Sequence, residues 1–173
     1  MGKNLPMKSP THEIVMNTGP VIALVAATDS LGWLSSLYRN IWLPHEVIEE
    51  LSAGGPLAPE PAQVRAAGDV IQMLPPLPAL PAWLTNELDR GEASVIHTAI
   101  KKGVGTVAID EKTGRRVARL QGLKVTGSLG ILIRARKEGL IASLDDSILR
   151  MRSQGIWLSE ELTRQALVEV GER

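Results

Sequence analysis

The chain has 173 residues, with no cysteine, no phenylalanine and a single tyrosine. Without cysteine there is neither a disulfide framework nor a thiolate metal site, which fits an intracellular protein. Without phenylalanine the core must be mostly aliphatic. No apolar run approaches the roughly 18 residues that a bilayer-spanning helix needs. The opening Met1-Gly2-Lys3-Asn4-Leu5-Pro6 lacks the apolar segment of a secretory signal and the Ser or Thr of a myristoylation signal. The expected location is cytoplasmic, with no membrane partner. Other chemistries are missing too. Gly103 and Gly105 do not complete a dinucleotide fingerprint, and there is no phosphate-binding loop or serine nucleophile elbow. His12, His45 and His97 stand alone, without ligand spacing.

The 44% hydrophobic and 22% charged fractions are those of a globular chain, and the length suits one domain with a C-terminal extension. The net charge is zero but unevenly spread. Residues 101–137 hold ten Lys/Arg against two acids, whereas residues 1–100 hold five against ten. That asymmetry reads either as an acidic pocket beside a basic anion-binding surface or as a solvated helical face.

Residues 1–12 read as a flexible tail. Strands are expected at 13–16, 41–43, 70–74, 106–109 and 124–126, with helices near 21–27, 31–37, 44–51, 62–67, 85–102, 111–121 and 128–137. Pro75, Pro76, Pro78 and Pro81 enforce an irregular connection. Two further helices, 144–153 and 159–171, form an extension over 141–173 packed on the same domain. Strands alternating with helices predict an α/β fold, a mostly parallel sheet of about four to five strands flanked by helices.

In such a sheet, ligands bind beyond the carboxyl ends of the strands. Two strands end there on polar residues, Asn17 and Asp110. Glu92 lies four residues after Leu88 and just before Val95 and Ile96, which puts a carboxylate on an apolar helical stripe. Glu50, three residues after Val47, is placed similarly, while Glu46 and Glu49 are expected in solvent. Oxygen ligands without Cys or clustered His favour Mg²⁺ or Mn²⁺. The alternative is that Glu50 and Glu92 pair with Arg or Lys. Lys112, Arg115, Arg116 and Arg119 follow Asp110 at i, i+3, i+4 and i+7, a stripe that suits either a phosphate backbone or plain solvent.

Five stretches in order resemble the PIN-domain family, in its uncharacterised branch related to VapC-type toxin ribonucleases. They are residues 17–24 from Asn17-Thr18-Gly19-Pro20, residues 43–51 ending in Glu49-Glu50-Leu51, residues 88–94 around Gly91-Glu92-Ala93, residues 109–118 from Ile109-Asp110-Glu111, and residues 125–130 around Gly127-Ser128. The likeness spans roughly residues 13–140, the expected PIN-like domain with its three-layer fold. It implies that Asn17, Glu50, Glu92 and Asp110 form the family's acidic quartet, with Thr18 and Ser128 as further shell. It also implies Mg²⁺ or Mn²⁺, catalysis by Glu50, Glu92 and Asp110, an RNA substrate, a homodimer and, for toxin members, a protein antitoxin. Asn17 departs from the family's usual Asp and removes one negative charge.

Overall fold

The computed structural model describes residues 10–55 and 58–173, so most of the expected tail lies outside the described residues. Five short strands form one parallel sheet in the order β3-β2-β1-β4-β5. They are β1 (Glu13–Met16), β2 (Asn40–Leu43), β3 (Ile71–Met73), β4 (Thr106–Ala108) and β5 (Lys124–Thr126). Ile14, Val15 and Met16 of the central β1 are almost fully buried. That is the mark of a strand covered on both faces, and it explains the unbroken apolar run. Val15 pairs with Trp42 on one side and Val107 on the other.

The chain moves outward from β1 to β2 and β3, then crosses back to β4 and β5. Right-handed crossovers require the helices of those two halves to lie on opposite faces. Accordingly α1 (Thr18–Thr28) packs with α2 (His45–Ala53), α3 (Glu60–Ala66), α7 (Ser128–Lys137) and α8 (Leu144–Ser153). On the other side α5 (Arg90–Lys102) lies on β1 and β4 and meets α4 (Ala82–Thr85) and α6 (Lys112–Leu120). The last helix, α9 (Glu160–Glu169), packs on α7 and α8.

Local chemistry sets the boundaries. The 85–102 segment is not one helix: Asp89 caps α5 by accepting from the Glu92 N–H at 2.8 Å, so α5 starts only at Arg90. Gly103 ends it at φ 67°, a left-handed geometry that glycine adopts without strain. Residues 32–36 form a 3₁₀ turn instead of an α-helix. Near the C-terminus Glu172 accepts from the N–H groups of Leu144 and Asp145 at the start of α8, and from Arg136 of α7. Among the described residues no helix is long and apolar enough to cross a membrane.

Candidate metal centre

The sheet changes winding direction between β1 and β4, and there the carboxyl ends of two neighbouring strands lead into diverging chain. Asn17 follows β1 and Asp110 follows shortly after β4, with the Asn17 N–H bonded to the Ala108 carbonyl at 3.0 Å. The crevice is a product of topology before any side chain is considered.

Glycines clear the space for the three acids. Glu50 of α2 lies over Gly91 of α5, where an added Cβ would stand 2.9 Å from Glu50 Cδ; the Thr18 hydroxyl donates to Glu50 Oε2 at 2.5 Å. Glu92 lies over Gly114 of α6, where a Cβ would stand 3.1 Å from Glu92 Cδ and 3.0 Å from Ile109 Cγ2. Asp110 lies against Gly127, where a Cβ would meet its Oδ1 at 2.6 Å. The Ser128 N–H, at the start of α7, donates to that same Oδ1 at 2.8 Å. A helix start suits a carboxylate.

The acids differ in burial. Glu92 is only 6% exposed, whereas Glu50 and Asp110 stand at the rim, so Glu50 does not share the buried setting expected of it. Burial first, then the charges of Asp89 and Glu111 and, more weakly, Glu50 push the Glu92 carboxyl up to about 7, against the pull of a backbone hydrogen bond at Asp89. Asn17 is equally buried. Asn17 Oδ1 and Glu92 Oε1 are both buried without a hydrogen-bond partner among the described residues. Neither Glu50 nor Glu92 meets an Arg or Lys there, so the ion-pair alternative is not what holds them.

Among the described residues no three His, Cys, Asp or Glu side chains converge as a ready-made ligand set. The donor chemistry nevertheless suits a hard cation: carboxylate and amide oxygens, two of them desolvated and unpartnered. A family model described as a PIN domain matches residues 13–172.

The chain belongs to the PIN-domain family.

That family has a nuclease fold, and its members are in general dependent on divalent metals. No curated protein matches the chain. In this PIN domain the basic stripe of α6 is divided. Arg115 turns inward, donating to the Ile109 carbonyl at 2.8 Å, and burial, then Arg119, lower its pKa while Asp110 opposes them. Arg116 pairs with Glu87 at 2.8 Å on the other side. Lys112 and Arg119 are exposed.

Glu46 corrects the sequence-based expectation of a solvated acid. It is 4% exposed, and its Oε2 has no partner among the described residues. Its charge acts on His97 of α5, whose pKa burial and then Lys101 lower. The three glycine cradles were also missed. Gly91 and Gly114 fall inside helical patterns where no turn needs them, the one signal of close approach that the sequence carries.

Proposed function

We propose that this PIN-domain protein is a metal-dependent endoribonuclease whose ion is held by Glu50, Glu92, Asp110 and the amide oxygen of Asn17. The observation that carries the reading is Glu92: a buried carboxylate with one oxygen unpartnered and no cationic side chain beside it among the described residues, and a glycine opposite that keeps its place open. A buried ionised carboxylate without a counter-charge costs several kcal/mol, about what a bound cation offsets. Mg²⁺ or Mn²⁺ there would activate water and neutralise phosphodiester charge.

The protein's own groups have distinct tasks. Thr18 fixes the rotamer of Glu50, and the Ser128 N–H fixes Asp110. Glu92 releases its proton to solvent when a cation takes its place at the carboxylate. Arg115, beside Asp110, aligns the scissile phosphate, and the exposed Lys112 and Arg119 draw the RNA backbone, while Arg116 is partly committed to Glu87. The VapC-type branch, a toxin role with a protein antitoxin, and a homodimer rest on sequence likeness alone.

The test is cleavage of single-stranded RNA by purified protein with Mn²⁺ or Mg²⁺, with Mn²⁺ binding followed by calorimetry. Cleavage and binding are expected, both lost in Glu92→Gln. A wild type that neither cleaves nor binds Mn²⁺ sinks the reading. Asn17 favours a second reading, a PIN-like module that binds RNA or protein with weak catalysis. Weak Mn²⁺ binding with RNA binding intact, and cleavage only after Asn17→Asp, would select it.

A further inference from the structure

A groove of about 800 Å³ opens from the metal centre, between α1, the end of β5, α7 and the stretch joining α8 to α9. One end carries Asp110 and Arg115; Ile22, Ile133 and Leu158 line the way, and Trp157 completes the wall. Trp157 is 78% exposed, more than any other large hydrophobic side chain among the described residues. The chain is poor in aromatics, with one Tyr and four Trp. An indole left in water beside an apolar groove loses the burial that normally stabilises it.

The groove's charge narrows what fits. Among its described lining residues Arg115 is the only cation, and it stands against two acids, Asp110 and Glu111. The cations of α7 are turned to acids nearby: Arg134 to Glu138, Arg136 to Glu172 and Lys137 to Glu169. The groove is therefore no track for a polyanion. Its apolar wall matches a flat, apolar-faced body, and Arg115 leaves room for no more than one anionic group, set directly against the guanidinium. A nucleotide has that shape and charge. The volume is in the usual range for small-molecule pockets.

We propose that this groove is a nucleobase subsite, in which Trp157 stacks on the base of a nucleotide whose phosphate meets Arg115. This rests on the nuclease reading only for the identity of the ligand as RNA. Stacking needs an unpaired base, so the subsite selects single strands over duplex, and it tolerates any base because every base offers a π-face.

The test uses the full chain, a fluorescein-labelled ten-nucleotide single-stranded RNA of mixed sequence, and EDTA to prevent cleavage. Anisotropy gives the affinity of the wild type, Trp157→Ala, Trp157→Phe and, as an exposed-indole control, Trp83→Ala. Trp157→Ala should weaken binding between about five- and 150-fold. Trp157→Phe should restore most of it, and Trp83→Ala should match the wild type. All four should melt at similar temperatures, because the altered side chains are exposed. A duplex of the same sequence should bind more weakly and be indifferent to Trp157.

The proposal is overturned if the wild type does not bind the strand, if Trp157→Ala binds within twofold of the wild type, or if Trp83→Ala loses as much. It is equally overturned if Trp157→Ala leaves RNA binding intact and shifts the mass seen by light scattering, which would give the groove to a second copy. Cleavage with Mn²⁺ tests the nuclease reading separately. Lost binding in Trp157→Ala with no cleavage by the wild type keeps the subsite and removes the nuclease. Cleavage with unaltered binding does the reverse.

Discussion

Glu50 rests on Gly91 at a distance that no side chain at position 91 could leave undisturbed: a Cβ there would stand 2.9 Å from Glu50 Cδ. Glu50 is exposed and can swing away. Gly91→Ala should therefore cost little stability, or add up to about 1 kcal/mol from helix propensity. It should nevertheless weaken Mn²⁺ binding about tenfold by dislodging the carboxylate. Gly105→Ala, with open space around its Cβ, is the control for both thermal melting and calorimetry.

Gly114 faces the same problem in the interior. Its Cβ would crowd both Glu92 and Ile109, and neither can retreat to solvent. Gly114→Ala should lower stability by roughly 1–3 kcal/mol, as overpacking does, and abolish metal binding as well. Chemical denaturation separates the two glycines: one loses only the ion, the other loses the fold's margin too.

Asn17→Asp restores a carboxylate beside a desolvated site. A charge pair near 4 Å is worth roughly 1–4 kcal/mol across effective dielectrics of 80 to 20, so Mn²⁺ affinity should rise by about one to three orders of magnitude. The metal-free variant should melt lower than the wild type, since it buries an added negative charge. Calorimetry and melting with and without Mn²⁺ check both signs.

The raised pKa of Glu92 has a defined pH signature. Its folded value of about 7 lies above the ordinary 4.5, so the fold holds an extra proton between those values. Its contribution to stability is present below about pH 4.5 and is lost as pH rises through about 7, at no more than about 1.4 kcal/mol per pH unit. Glu92→Gln should flatten that slope in the metal-free protein. Mn²⁺ binding, which displaces the proton, should tighten over the same interval and then level off. A metal-free stability curve unchanged by Glu92→Gln would refute this.

Glu172 behaves in the opposite sense. Burial alone would raise its pKa, but the N–H groups of Asp145 and Leu144, with Arg136 and Ser143, together hold it at about 2. Its stabilisation is present above about pH 4.5 and fades as pH falls towards 2. Glu172→Gln should cost about 1 kcal/mol at neutral pH through the lost charge at the α8 N-terminus. Mn²⁺ affinity should not move, which makes it a useful structural control.

Much of this fold is legible in the chain because its local signals agree. The apolar run at Ile14-Val15-Met16, the stop at Gly103 and the prolines from Pro75 to Pro81 each say the same thing locally and globally. Glu92 is legible because Leu88, Val95 and Ile96 flank it at helical spacing. Glu46 is not legible, because α2 is pressed by both α1 and α5 and so buries more than one stripe. Arg115 and Arg116 look alike on a helical wheel; only the position of Ile109 and Glu87 in space sends one to the crevice and the other to the rim. Glycine cradles belong to pairs of helices, and a single periodicity cannot reveal them.

The pairing of β1 with β4 also governs when the crevice can exist. Between Val15 and Val107 the chain runs through β2, β3 and α5. Closing so long a loop costs more entropy than closing the shorter one between β1 and β2, which predicts that the β1–β4 pairing forms later. Asn17 and Asp110 are therefore brought together only when the two halves of the sheet have joined. A chain interrupted before β4 would carry Glu50 and Glu92 without Asp110, and assembly of the proposed metal centre would report on completion of the whole fold.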